Sequence, residues 1–417
     1  MKSSILLLLT ICTSVVLAQV ETNDSVSLSP GYTSMSFYSL ANGEQGNISA
    51  MDWDIQFVTN PMSAGIRVND AAGGELFELP NSAVANWMAT DTTGMIVQYN
   101  TDTSWDVGAL NIGTNNFDNY GWGTYDFVSH DITGAKFFIL KTVAGDFKKF
   151  MIDALDYDGI AQSQSYQFRY ADMDNSNEVL DTFVVTDFIS AHSVYYSITA
   201  GQLLDDEPNK NDWDIVFRKY VTPLGGGIYY PVTGVLSNSG VYTAEARNVS
   251  IDITSDQGFT YVNQIGNIGS DWKNFDRNTN MWELEDSLIY FVLAKDSNIY
   301  KIVFTDFGGA ATGNIYFTKT KLSAVTGIEK YDVIQNFVTY PNPAYNELNV
   351  LFSLEESEDL NLIITDLAGK TVKEELLNSR QGLNNVSINL SDYANGYYLI
   401  NLSNEQFSST SRFVVSQ

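Results

Sequence analysis

Cysteine is almost missing from this chain of 417 residues: the single one, Cys12, lies among the first eighteen. Disulfides, thiol catalysis and cysteine-ligated metal are therefore excluded from everything that follows. Histidine is nearly as scarce, with only His130 and His192, which leaves little for a catalytic triad. Gly-x-Ser-x-Gly, His-Glu-x-x-His and phosphate-loop patterns do not occur. Basic residues are few, 22 Lys and Arg against 50 Asp and Glu, and the formal charge of −28 disfavours phosphate backbones and anionic lipid surfaces as partners. Proline numbers 8. Apart from the leader, no apolar run is long enough to cross a membrane as a helix.

The leader itself reads as an export signal over residues 1–18. Lys2 supplies the positive end, Ile5 to Leu9 and Val15 to Leu17 supply apolar length, and Val16-Leu17-Ala18 before Gln19 fits the small-residue cleavage rule. Thr10, Thr13 and Ser14 interrupt the run, which is shorter than the roughly twenty apolar residues of an anchor.

What the chain has in abundance is Tyr (24), Phe (23), Val, Ile and Thr, together with Asn, Asp, Ser and Gly, a mixture that favours strands and turns. The expected class is all-β. One phrase occurs twice, Asp52-Trp53-Asp54-Ile55-Gln56-Phe57 and Asp212-Trp213-Asp214-Ile215-Val216-Phe217. Its alternation predicts a strand with Trp53, Ile55 and Phe57 on a single buried face.

The flanks repeat as well. Phe37-Tyr38-Ser39-Leu40 answers Tyr195-Tyr196-Ser197-Ile198, and Gly65-Ile66-Arg67-Val68 answers Gly225 to Tyr230. Ile112-Gly113, Asn116-Phe117-Asp118 and Trp122 answer Ile268-Gly269, Asn274-Phe275-Asp276 and Trp282. The Leu140/Phe147 hairpin answers Leu293/Tyr300, and the closing strand Ser165–Tyr170 answers Ile315–Lys319. Gly65–Val68 and Gly74–Leu79 are expected to form a further hairpin bounded by Gly73-Gly74. The repeat predicts two tandem antiparallel β-domains, residues 19–178 and 179–325, each with its own core.

A Trp-Asp-Ile-x-Phe strand, a later Trp, a hairpin with a Gly-Asp or Asp-Ser turn before Tyr/Phe-Lys, and a closing aromatic strand together resemble the HmuY family of haem-binding proteins. The resemblance implies an antiparallel fold in which two successive hairpin loops grip haem, each donating an axial His or Met. On this chain it points to Met95 and His130 as candidate axial ligands, since imidazole nitrogen and thioether sulfur both bind haem iron. The second copy has Glu283 and Glu285 near the place of His130 and no Met at the place of Met95, and His192 precedes Tyr195 at the wrong location.

Other readings are open at this stage. Trp87, Trp105, Trp122 or Trp272 lining a groove for a surface glycan or protein would make a cofactor-free adhesive or structural module. A glycosidase, the third reading, needs two carboxylates about 5 to 9 Å apart. Asp172-Met173-Asp174-Asn175-Ser176-Asn177 begins like a calcium loop but has Asn177 where the turn glycine belongs and Phe183 at position twelve.

From residue 326 the character shifts. A linker over 326–337 leads into Tyr340-Pro341-Asn342-Pro343-Ala344, and short strands then fill an immunoglobulin-like sandwich over 338–417. Its Tyr340, Pro341, Asn342 and Pro343, its Asp366, Gly369 and Lys370 turn, its Gly396 and Tyr397, and the final Phe413-Val414-Val415 are similar to the C-terminal sorting domain of type IX secretion cargo. That resemblance implies recognition by the outer-membrane translocon of a Gram-negative bacterium, followed by surface display or release. The sequence thus predicts a non-enzymatic, exported binding protein, with haem at the first copy as the leading ligand.

Overall fold

The computed structural model describes residues 20–60, 64–89, 91–112, 118–126, 128–158, 161, 163–324, 334–340, 344–354, 357–366, 370–404 and 408–415. The export signal lies outside these residues. The described chain is nearly all strand, divided between one unit ending at Ala324 and a second beginning at Val325.

Within the first unit two lobes are each built on a pair of sheets. In the first lobe the long sheet runs Val179–Val184, Ser163–Asp172, Phe147–Asp158, Lys136–Lys141, Glu75–Ala83, Ile96–Gln98, with the short pair Gly123–Tyr125 and Ile132–Gly134 joined to Phe147–Asp158. Facing it is a four-stranded sheet, Gln202–Leu204, Ser193–Ser197, Ile55–Val58, Ile66–Val68. Ile55, Phe57, Trp122, Phe150, Tyr166, Phe168 and Tyr196 fill the space between. The second lobe repeats this with a five-stranded sheet, Glu21–Ser27, Asn314–Ala324, Asn298–Phe307, Leu288–Leu293, Tyr242–Arg247, and a four-stranded one, Ile228–Ser237, Ile215–Gly225, Ser34–Ser39, Gly43–Ser49. Tyr38, Ile215, Phe217, Trp272, Tyr290 and Phe317 form its core.

The two sequence copies trade their leading hairpins. Ser34–Ser39 pairs with the Trp213 strand of the second copy, Tyr38 opposite Ile215, whereas Ser193–Ser197 pairs with the Trp53 strand of the first, Tyr196 opposite Ile55. The first lobe is therefore built from residues near 52 to 206, and the second from 20 to 49 together with 213 to 324. The division at 178/179 drawn from the repeat falls inside the first lobe, between Ser163–Asp172 and its neighbour Val179–Val184.

This exchange explains two further differences from the sequence reading. The Trp53 and Trp213 strands are buried on both faces: Ile55 and Phe57 point into the first core, while Trp53, Val58, Trp213 and Val216 join Met35, Phe37, Trp105 and Tyr195 in a third core between the lobes. Asp54 and Gln56, expected on a wet face, are 3% and 1% exposed. Ile66–Val68 and Glu75–Ala83 do not form a hairpin; they enter facing sheets, paired with Ile55–Val58 and Lys136–Lys141 respectively. The core counterpart of Trp122 is Trp272, since Trp282 is 39% exposed on the Met281–Leu284 strand.

Polar anchors repeat with the strands. Asp54 accepts the backbone N–H groups of Val143 and Ile198, both at 2.8 Å, and Asp214 accepts those of Lys295 and Leu40, both at 2.7 Å. Asn69 donates to the carbonyls of Ala50 and Trp53, as Asn238 does to those of Lys210 and Trp213. Lys149 ties down the loop at Trp87 and Ala89, and Lys301 the loop at Ile251 and Ile253.

The second unit has a three-stranded sheet, Ile334–Tyr340, Glu347–Leu354, Gly382–Asn389, and a four-stranded one, Thr371–Ser379, Glu358–Asp366, Gly396–Ser403, Ser408–Val415. Leu348, Val350, Phe352, Leu362, Ile364, Ile400, Leu402 and Phe413 close the core between them.

Because Asp214 accepts the buried N–H of Leu40 and the partly buried N–H of Lys295 from separate segments, Asp214→Ala removes both hydrogen bonds. The expected loss is about 3 kcal/mol in equilibrium urea unfolding. A loss below about 0.5 kcal/mol, the size of an ordinary surface change, would refute the anchor.

Candidate functional site

Met95 and His130 sit on neighbouring hairpins of the first lobe. Met95 directly precedes the edge strand Ile96–Gln98 and is 36% exposed. His130 lies in the exposed turn between Gly123–Tyr125 and Ile132–Gly134, in the left-handed region with φ 66°. Its Nδ1 is 2.5 Å from the Tyr125 hydroxyl, and its ring meets Tyr157 edge-on at 5.9 Å.

Between these hairpins runs a cleft of about 790 Å³. One wall is the Glu75–Ala83 strand with Asn86, Ile96 and Gln98, and the other carries Asn119, Thr124, Ala135 and Lys136. Neither Met95 nor His130 lines it, although Ile96, the neighbour of Met95, does. Amides and hydroxyls share the lining with apolar groups such as Leu79, Pro80 and Ile96. Its ions include Glu78 and Lys136, paired at 2.7 Å, and Asp118. Of its carboxylates, Glu78 is held in that ion pair. The donor set of Met95 and His130 suits iron, but neither side chain lines the cleft.

The tryptophans proposed for a groove serve elsewhere. Trp122 and Trp272 are in the lobe cores, Trp105 is in the core between the lobes, and Trp87 covers the outer face of the long sheet against Phe137 and Lys149. An exposed aromatic platform does exist, in a place the sequence did not single out. Tyr99, just past Ile96–Gln98, stacks face to face on Tyr229 with centroids 3.9 Å apart and planes within 7°. Tyr229 comes from the hairpin of Ile215–Gly225 and Ile228–Ser237, whose Gly225-Gly226-Gly227 tip runs entirely at positive φ, a conformation glycine adopts without strain.

Sequence reasoning also missed a buried polar cluster in the seam between the lobes. His192 is 6% exposed, with Nδ1 and Nε2 each 2.9 Å from a hydroxyl, of Ser193 and Ser239, and Trp105 edge-on at 5.0 Å. Burial pushes its pKa down to about 3, so it is neutral. Glu207 accepts the His192 backbone N–H at 2.9 Å and the Tyr195 hydroxyl at 2.8 Å, and burial pushes its carboxyl up to about 8. Arg67 donates to the carbonyls of Thr101, Ser104 and Val107. Nothing in the spacing of residues 56, 67, 192, 195, 207 and 218 announces this cluster, because the hairpin exchange creates it. Asp172, at the calcium-like loop, instead takes Lys148, Ser176 and Asn177 as partners.

In the second unit Asp366 ends Glu358–Asp366, Lys370 directly precedes Thr371–Ser379, and Gly396 and Tyr397 open Gly396–Ser403. Tyr340 ends Ile334–Tyr340. Pro341, Asn342, Pro343 and Gly369 lie outside the described residues.

Residues 338–416 match the secretion system C-terminal sorting domain family. This tail marks the chain for export to the cell surface, or for secretion, from a Gram-negative bacterium by the type IX route. No curated protein matches the chain. Among solved structures, one similarity is to Escherichia coli alpha-2-macroglobulin activated by porcine elastase, with 9% identity and a TM-score of 0.15. It covers 95% of this chain and 34% of that one, and at that score it implies no shared fold.

Glu207 gives the seam a pH signature. Its carboxyl titrates near 4.5 when unfolded and near 8 when folded, so the folded chain holds the extra proton between those values and stability falls as pH rises through them. His192, which faces it with Tyr195 and Arg218, runs the opposite way but only below 6.5. Between pH 6.5 and 8, Glu207→Gln should remove a decline of up to about 2 kcal/mol, read by urea unfolding at both pH values. Parallel pH dependences for the two proteins would refute the assignment.

Proposed function

We propose that residues 20–324 are the non-catalytic, ligand-binding cargo of this exported protein, and that the cleft between the Ile96 and His130 hairpins holds a glycan chain. The observation that carries this reading is the cleft lining: Asn81, Ser82, Asn86, Gln98, Asn119 and Thr124 offer side-chain donors and acceptors together, with the Glu78 and Lys136 charges cancelled. Neutral vicinal hydroxyls are matched by such amides, which donate and accept from one planar group. The Tyr99–Tyr229 stack beyond the Ile96–Gln98 strand adds an apolar surface suited to the flat face of a sugar ring.

A binding screen of the purified full chain on immobilised glycans tests this. The combined Gln98→Ala and Asn81→Ala change should weaken a bound glycan at least tenfold with an unaltered melting temperature, as expected when two hydrogen-bonding side chains of about 1 kcal/mol each are lost. Binding indifferent to both substitutions would place the ligand elsewhere.

A second reading, haem held by Met95 and His130, is favoured by one detail. The Tyr125 hydroxyl engages Nδ1 of His130, which leaves Nε2 as the nitrogen to face a metal. Titrating hemin into the full chain should then give a Soret band that shifts in both Met95→Ala and His130→Ala. No band, or one insensitive to both, rejects it. For the tail, removing residues 338–417 should leave the chain inside the outer membrane in a type IX-competent host, measured by fractionation and immunoblot.

A further inference from the structure

A smaller recess of about 130 Å³ lies where the two lobes meet, remote from the residues of the glycan cleft. Its walls are the Gly31–Thr33 loop and Met51 from the second lobe's leading segment, Asn69 and Ala72 from the first lobe, and Arg218 with Lys219 on the strand Ile215–Gly225. Arg218 is 8% exposed, and its guanidinium lies 5.6 Å from the Trp53 ring centroid. Its Nε donates to the Lys219 carbonyl at 3.3 Å. Among the described residues its two terminal nitrogens meet no acceptor and no carboxylate forms an ion pair with it.

Arg218 therefore differs from Arg67, the other buried guanidinium of the seam, which is satisfied by three backbone carbonyls. The acids whose fields reach Arg218 are committed elsewhere. Glu207 receives the His192 N–H and the Tyr195 hydroxyl, and Asp70 receives Asn100 Nδ2 at 2.8 Å. The two terminal nitrogens of Arg218 keep contact with solvent, and they form a planar fork that matches two oxygens of one group.

We propose that this recess binds a small oxyanion group, a phosphate, sulfate or carboxylate, seated on the Arg218 fork. The space equals about four water volumes, enough for one such group. The overall charge of −28 disfavours a polyanion, so the ligand is a single anionic group, either free or carried on a larger molecule. Because its walls come from both lobes, occupancy ties them together.

Equilibrium dialysis of radiolabelled inorganic phosphate against the full chain at low ionic strength tests the site. One saturable site with a dissociation constant on the order of 1 mM is expected, displaced by sulfate and by acetate. Arg218→Gln should weaken it at least tenfold, and Asp70→Asn, which removes a competing negative charge, should tighten it. Met51, 40% exposed at the wall, provides a variant that spares the buried arginine: Met51→Glu should abolish phosphate uptake with an unchanged melting temperature. A sulfated monosaccharide that displaces phosphate more strongly than sulfate does assigns the site to a group on a larger ligand, and equal displacement assigns it to the free ion. Absence of saturable uptake by the unaltered chain, or uptake unchanged in Arg218→Gln and Met51→Glu alike, overturns the proposal.

Discussion

Two buried carboxylates, Asp54 and Asp214, set the terms for the first unit. Each stands at the start of a central strand and accepts one N–H from the turn of the facing sheet's main hairpin and one from the end of the exchanged strand. Three segments distant in sequence are thus fixed to one side chain. A desolvated carboxylate is tolerable only because backbone donors surround it, and those donors would be orphaned without it. The Trp-Asp-Ile phrase repeats because this junction repeats: tryptophan fills the space between the lobes, aspartate ties the junction, and isoleucine begins the lobe core.

From that junction the hairpin exchange follows, and from the exchange the seam. Strands that in a simple tandem would present one wet face are covered by the other lobe, so Gln56, Arg67, Ser193 and Glu207 are enclosed. Arg67 and Glu207 meet their needs through carbonyls, a hydroxyl and a backbone N–H, whereas Gln56 donates to the Ser193 hydroxyl and leaves its amide oxygen without a partner. His192 is one result: a lone histidine that sequence reading weighs as a ligand is here a neutral packing residue between Trp105 and Trp213.

Much of the fold was legible, for a definite reason. Strand identity depends on local pattern, so Lys136–Lys141 with Phe147–Asp158, and Leu288–Leu293 with Asn298–Phe307, were readable from alternation and a turn. Pairing across long separations was not. Alternation says which residues share a face and is silent on which strand lies alongside, so Tyr38 beside Ile215 could not be distinguished from Tyr38 beside Ile55. The tail was legible because its motifs are local turns and strand starts. Met95 and His130 lie between strands, and the cleft nearby includes Asn, Gln and Ser in its walls, residue types too common in this chain to stand out.

The strand Asn314–Ala324, which leads out of the first unit towards the sorting tail, is not at a sheet edge: it is bonded to Glu21–Ser27 on one side and Asn298–Phe307 on the other. If the protein is held at its tail while something pulls on the lobes, the load reaches the first unit through that strand. The strand can leave only by giving up hydrogen bonds to both neighbours. The chain's own first segment is half of that clamp, so a tethered molecule keeps its mechanical grip only while its amino-terminal residues stay in place.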